Sequence, residues 1–216
     1  MAGDTIAAMS LAALSLAELL DKLSSPTPTP AGGSASAIAG AIAASLLAMV
    51  AGMPKTRSGS DEERTTLDSA RGDLLEIRDQ LVELADLETV AHDAVMAAYR
   101  LPTETDQQKA VRDAAVQEGI RTATDVPLQT IRACLTLLPI GETVAVRGNP
   151  TAKSDVLVAL SLAMAGWSGG VANVTSNLEY IRDEAYVAFV KEELKRVREL
   201  AGRGLVPAYQ ALGLAP

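Results

Sequence analysis

Only one cysteine, Cys134, and one histidine, His92, occur in the 216 residues. A single cysteine excludes an intrachain disulfide, and one cysteine with one histidine excludes a His/Cys zinc framework. The same scarcity confines any nucleophile–histidine arrangement to His92. Aromatic residues make up 3% of the chain, so the core that its 48% hydrophobic content builds must come from Ala, Leu, Val, Ile and Met. Basic residues are outnumbered, 19 against 27 acidic ones, for a net charge of −8. That balance argues against nonspecific binding to nucleic acid or to an anionic membrane, while leaving room for an anionic ligand in a local basic pocket. Strand-type alternation and 20–50-residue repeats are absent. So are the P-loop, the dinucleotide glycine fingerprint, the GxSxG elbow and HExxH. No Lys or Arg precedes Lys22, so the N-terminus lacks the basic region of a signal peptide, and a cytoplasmic location is expected.

What the chain does have is helical patterning and small residues. The run Pro26-Thr27-Pro28-Thr29-Pro30-Ala31-Gly32-Gly33-Ser34 is a stiff proline segment followed by a glycine pair and a serine. Proline stops any earlier helix, and glycine lets a backbone or ligand approach closely. With Ser34 as N-cap, free N–H groups would face an anion or a developing oxyanion at a helix start. Two long stretches carry no charge, Ala31 to Pro54 and Val156 to Leu178. Both are long enough to span a bilayer. Their Gly, Ala and Ser content, with Asn173 and Asn177 in the second, marks them as central helices buried by other helices.

The other elements follow from spacing and punctuation. Residues 10–23 have an amphipathic helical pattern, and the second helix is predicted over 34–52. Asp61-Glu62-Glu63 opens a long helix over about 61–100, acids in its first turn suiting the macrodipole. A helix starting near Asp106 is predicted to break or kink at Pro127 and resume to Leu138. Arg147-Gly148-Asn149-Pro150 reads as a turn, with Ser154 or Asp155 capping the second uncharged helix. Asp183 begins a last, charged helix. The expected fold is an all-α multihelical bundle with central small-residue-rich helices, one domain over 1–216.

Several polar groups interrupt apolar surroundings. Asp86, Glu88 and Asp93 lie on the long helix, and Glu88 and His92 share a face at i, i+4. His92, flanked by Val90, Ala91, Ala94 and Val95, reads as a packed side chain before it reads as a base. Asn173 and Asn177 also share a face, where they either satisfy each other or line a polar pocket between helices.

With these pieces in order, the sequence resembles the cyclodeaminase and methenyltetrahydrofolate cyclohydrolase family, related to the C-terminal half of formiminotransferase-cyclodeaminase. The resemblance rests on Ser25-Pro26-Thr27-Pro28 through Gly32-Gly33-Ser34, Ala48-Met49-Val50-Ala51 and Ala94 through Pro102. It continues through Gln117-Glu118-Gly119, Ala123 through Leu128, Gly148-Asn149, Ser154-Asp155 and Asn173-Val174 with Asn177-Leu178. It implies a multihelical homodimer that binds a tetrahydrofolate derivative and needs no metal or redox cofactor. Two reactions are implied: hydrolysis of 5,10-methenyltetrahydrofolate to 10-formyltetrahydrofolate, and cyclisation of 5-formiminotetrahydrofolate with release of ammonia. A folate-binding homologue without catalysis is the third reading. The implied catalytic carboxylates are Glu88, Asp86 and Asp155, since a carboxylate can act as general base and stabilise the cationic amidinium carbon. The implied substrate-binding residues are Gly32, Gly33, Ser34, Lys55, Arg57, Asp125, Asn149, Ser154, Asn173 and Asn177, with Lys55 and Arg57 facing the carboxylates of the folate glutamate tail. The chain departs from the family where an Asp and an aromatic usually stand four apart, here Glu88 and His92. Ala152 occupies a place where cyclodeaminases tend to have cysteine, which favours the hydrolase.

Overall fold

The computed structural model describes residues 10–213; the N-terminal segment, on which the leader expectation falls, lies outside the described residues. Every regular element among them is helical. A 3-10 turn (Leu11–Ala13) precedes α1 (Leu16–Ser24), α2 (Gly32–Ala51), α3 (Asp61–Tyr99), α4 (Asp106–Arg147), α5 (Lys153–Leu178) and α6 (Glu184–Ala211). The helices pack as a bundle in which α2 and α5 lie against each other, α3 flanks α2, and α4 covers both α3 and α5. α6 covers α4, where Tyr186, Val190, Leu194 and Val197 join Leu128, Ile131 and Val174 in a second apolar cluster.

Small residues set how closely the central helices meet. The two uncharged stretches are α2 and α5, both long and apolar enough to cross a membrane, yet α2 is buried along most of its length. A Cβ at Gly40 would lie 2.7 Å from Cys134 Sγ, and one at Gly166 would lie 2.6 Å from the Ser36 carbonyl oxygen and 2.8 Å from the same sulfur. Cys134 is thus wedged where α2, α4 and α5 converge, and burial pushes its thiol up to about 12. A group so seldom ionised is a packing element rather than a nucleophile.

The local expectations are corrected in four places, the last of them the predicted break at Pro127. The first predicted helix is two pieces, because Ser15 starts α1 with a capping box to Glu18 while Ser10 caps the preceding turn. α2 starts at Gly32, with Ala31 as N-cap and no side-chain cap. Ser34 lies inside its first turn and donates to the Ala85 carbonyl of α3, 2.8 Å away. Likewise α5 is preceded by Ala152, and neither Ser154 nor Asp155 caps it.

α4 runs unbroken through Pro127 and Pro139. Proline at 127 leaves the Ala123 carbonyl without its i+4 donor. Asn177 Nδ2 on α5 donates to that carbonyl at 2.8 Å. An unsatisfied buried carbonyl costs about 1–3 kcal/mol, so this one side chain removes much of the penalty for continuing the helix.

The α2–α3 loop is held by a buried carboxylate. Glu63 accepts from Thr56 Oγ1 at 2.7 Å and from the Ser58 N–H at 2.8 Å. These bonds hold it well below the usual carboxylate range, at about 2. Arg57 donates to the carbonyls of Ala145 and Val146, closing the C-terminal end of α4.

The packing argument predicts opposite outcomes for two Gly→Ala changes. Gly166→Ala should lower the urea midpoint, its overpacking cost of about 1–3 kcal/mol exceeding any helix-propensity gain. At Gly72 a Cβ meets nothing within 4 Å. Gly72→Ala should therefore raise stability by up to ~1 kcal/mol. Equal shifts in the two variants would refute the close-packing account.

Candidate functional site

Where the N-terminus of α2 meets α3 and α5, a cleft of about 420 Å³ opens. Pro28 and Thr29 of the proline segment form one wall, Gly32 and Gly33 the floor, and Asn173 and Ser176 of α5 the far side. Glu88, Thr89 and His92 project from α3. The first N–H groups of α2 have no intrahelical acceptor and carry the positive end of the helix dipole. Gly33 is required by geometry: a Cβ there would lie 2.0 Å from Glu88 Oε1. The carboxylate therefore rests on Gly33.

Asn173 Nδ2 donates to Glu88 Oε1 at 2.5 Å. Burial raises the Glu88 carboxyl above the usual glutamate range, and the Asn173 bond pulls in the other direction. A half-buried carboxylate, oriented by one amide and set against bare backbone, can accept a proton or stabilise a cation. His92, one turn further along α3, has a buried Nδ1 with no hydrogen-bond partner; Asp93 Oδ1 is 3.6 Å away. The roles of His92, Thr89 and Ser176 were not legible as site roles in the sequence. His92 carried a signal in its i, i+4 spacing from Glu88, and Thr89 and Ser176 carried none.

Two larger grooves exist, of about 710 and 600 Å³. The first is lined by Thr65, Thr66 and Thr143 with exposed acids, and the second carries the Arg132–Glu193 ion pair at 2.8 Å. In neither is a carboxylate seated against glycine and held by a side-chain amide. The Glu88 cleft is therefore the candidate site despite its smaller volume.

Of the residues singled out in the sequence, Gly32, Gly33, Ser34, Glu88 and Asn173 come together in this cleft. The others do not. Asp86 accepts the Leu11 N–H at 2.7 Å and ties the N-terminal turn to α3. Asp125 is exposed on the α4–α6 side, where it accepts from the Tyr186 hydroxyl at 2.6 Å. Asn177 is the partner of Ala123, so the two asparagines do not satisfy each other, and only Asn173 lines the cleft. Asn149 folds its own turn, accepting from the Thr151 N–H and hydroxyl. Lys55 and Ser154 are exposed, and Asp155 is half-buried. Lys55, Arg57, Asn149, Ser154 and Asp155 belong to the loops and helix start at the C-terminal end of α2. α2 has 20 residues. At 1.5 Å per residue that end is roughly 30 Å from the Glu88 cleft.

Comparison with known proteins defines the class. The formiminotransferase-cyclodeaminase family model matches residues 15–196. The chain belongs to that family. It is 39% identical to a methenyltetrahydrofolate cyclohydrolase of Methylorubrum extorquens, over 84% of this chain and 86% of that one. It is 30% identical to the formimidoyltransferase-cyclodeaminase of Sus scrofa over 83% of this chain, and spans only 33% of that longer protein. Among solved structures it is similar to a formiminotetrahydrofolate cyclodeaminase from Thermotoga maritima, with a TM-score of 0.83, 28% identity, and coverage of 94% of this chain and 98% of that one.

The direction of the Glu88 shift gives a stability prediction. Its carboxyl is raised in the folded state. Stability is then full below the ordinary glutamate range, about pH 4, and declines as the buried group is forced to ionise at higher pH. Glu88→Gln keeps an acceptor for Asn173 and removes that charge. Its melting temperature should exceed the wild-type value at pH 7 and converge with it near pH 4. A variant melting below wild type at pH 7 would contradict the burial of a strained carboxylate.

Proposed function

We propose that this chain hydrolyses 5,10-methenyltetrahydrofolate to 10-formyltetrahydrofolate. The observation that carries the reading is the Glu88 carboxylate, half-buried on the Gly32-Gly33 floor and oriented by Asn173, in a chain 39% identical to a methenyltetrahydrofolate cyclohydrolase. The substrate's reactive carbon is a cationic amidinium between N5 and N10. Glu88 attracts that cation and removes a proton from the attacking water. The small residues around it admit a flat ring system. The site chemistry asks for no metal or redox cofactor, since addition of water to an amidinium is an acid–base reaction.

Two further elements of the reading concern assembly and location. The outer faces of α2 and α5 carry exposed Ile42, Met49 and Val158 with no charge between them. A homodimer formed through this face, in the cytoplasm, would cover it. If the two copies ran antiparallel, Lys55 of one would approach the Glu88 cleft of the other, where a glutamate tail would meet it.

Cyclodeamination of 5-formiminotetrahydrofolate is the second reading, favoured by the TM-score of 0.83 to a formiminotetrahydrofolate cyclodeaminase. It passes through the same tetrahedral carbon and uses the same carboxylate. The two are separated by substrate. Wild-type protein should accelerate the loss of methenyl absorbance at neutral pH over the spontaneous rate. Glu88→Gln should lower kcat by about 10²–10⁴-fold with the affinity nearly unchanged. Ammonia release from the formimino compound, without methenyl hydrolysis, would assign the second reaction instead.

A further inference from the structure

The reaction above has three proton transfers, and Glu88 accounts for one. Water attacks the amidinium carbon and gives a proton to the Glu88 carboxylate, which later releases it to solvent. The neutral carbinolamine then collapses: the carbon–N5 bond breaks, N5 takes up a proton, and the hydroxyl loses one as the N10-formyl C=O forms. One water proton ends on N5 and the other is released, so atoms and charge balance. N5 is a poor leaving group unless a proton arrives as its bond breaks.

We propose that His92 is the proton donor to N5 in this chain. The proposal rests on the hydrolase reading and deepens it. His92 lines the same cleft as Glu88 and stands one helical turn from it on α3, with their side chains on one face. In a tetrahedral adduct the attacking oxygen and N5 are bonded to one carbon, so two groups on neighbouring turns can serve them separately. Nδ1 of His92 is sealed in the protein without a hydrogen-bond partner. An imidazole buried as mere packing normally satisfies such a nitrogen. Nδ1 faces Asp93 Oδ1 at 3.6 Å, too far for a hydrogen bond but close enough to balance a cation. Asp93 is itself held by the Thr29 hydroxyl at 3.3 Å, which ties it to the proline wall of the cleft. Of the residues lining the cleft beside His92 only Glu88 carries a charge, and Asp93 follows His92 on its own helix. The proline segment, the start of α2 and α5 contribute only neutral groups, Thr29, Ser34, Asn173 and Ser176. α4 packs on α3 through Gly119 against Val95, and the ion pair of His92 is with Asp93 alone among the described residues.

In the cycle, the imidazolium protonates N5 as the carbon–N5 bond breaks, and the neutral ring takes back the hydroxyl proton as the carbonyl forms. His92 returns to its starting state each turnover. Glu88 carries the net proton out.

The test compares wild type, His92→Gln and His92→Phe for methenyltetrahydrofolate hydrolysis across pH, with the spontaneous rate subtracted. His92→Phe keeps the ring volume, and His92→Gln keeps polarity, so at least one should fold as wild type by circular dichroism. Both should lose about 10²-fold or more in kcat, with KM within about threefold, as expected for a missing general acid. Wild-type kcat should fall on the alkaline side of its pH profile, and the variants should lack that limb. Added imidazole should restore part of the rate to His92→Ala. A folded His92→Gln with wild-type kcat, or one that keeps the wild-type alkaline limb, overturns the role of His92 alone. A wild type that does not accelerate hydrolysis overturns the hydrolase reading and this inference with it.

Discussion

The close approach of α2 to α5 is the constraint on which the rest of the molecule depends. It exists because side chains are missing at the crossing. Ser36 Oγ occupies the space a Cβ at Gly169 would take, 2.0 Å from it, and the Ser36 carbonyl does nearly the same at Gly166. With the two helices drawn together, α3 and α4 settle on either side, and Glu88 reaches over the start of α2 to Asn173 on α5. A larger residue at any of these glycines would part the helices and separate the carboxylate from its amide. The composition is the same fact seen in sequence: a core nearly free of aromatics has small residues to spend on close contact.

Much polar chemistry in this chain maintains that frame rather than a site. Asn177 offsets the donor lost at Pro127, and Asp86 anchors the N-terminal turn. Asp125 holds Tyr186, whose ring also lies under the Arg121 guanidinium, 4.5 Å from its centroid. Glu63 and Arg57 fix the loop after α2. Each is a short polar motif on apolar ground, the same appearance a catalytic residue presents. Position distinguishes them: Glu88 opens onto the cleft, and none of these residues lines it.

That distinction marks what was legible in the sequence. Helix periodicity and acidic or polar caps placed α3 almost to the residue, since Ser60 and the acids after it act locally. The all-α bundle and its two uncharged central helices were likewise legible. The start of α2 was not, because Ser34 finds an acceptor at Ala85, 51 positions away, and a distant partner overrides the local cap. Nor was the continuity of α4, since the group that tolerates Pro127 comes from another helix. In the site, Glu88, Gly33 and Asn173 were recognised by type and spacing, but their mutual contact required the fold. Ser154 and Lys55 were included by resemblance; the helix predicted over 34–52 already put Lys55 beyond its C-terminal end, but that Ser154 stands there too, with Glu88 and Asn173 gathered at the other end, required the fold.

The separation of these two groups has a mechanistic consequence. A folate has a flat, reactive ring at one end and a carboxylate-bearing tail at the other, so a site for it needs a proton-handling pocket and a cationic patch at a distance. Within one chain the Glu88 cleft contains no lysine or arginine among its lining residues. It is therefore suited to a cationic reactive carbon and unsuited to the anionic tail. Lys55 has the opposite character, an exposed cation on a loop beyond the far end of α2. Within the chain no lysine or arginine lines the cleft to pair with the Glu88 carboxylate and lower it again. Burial without a cationic partner is what raises the Glu88 carboxyl, the direction that suits the general base proposed above. On the reading proposed above, the absence of a salt bridge at Glu88 among the described residues is as much a part of the chemistry as the carboxylate itself.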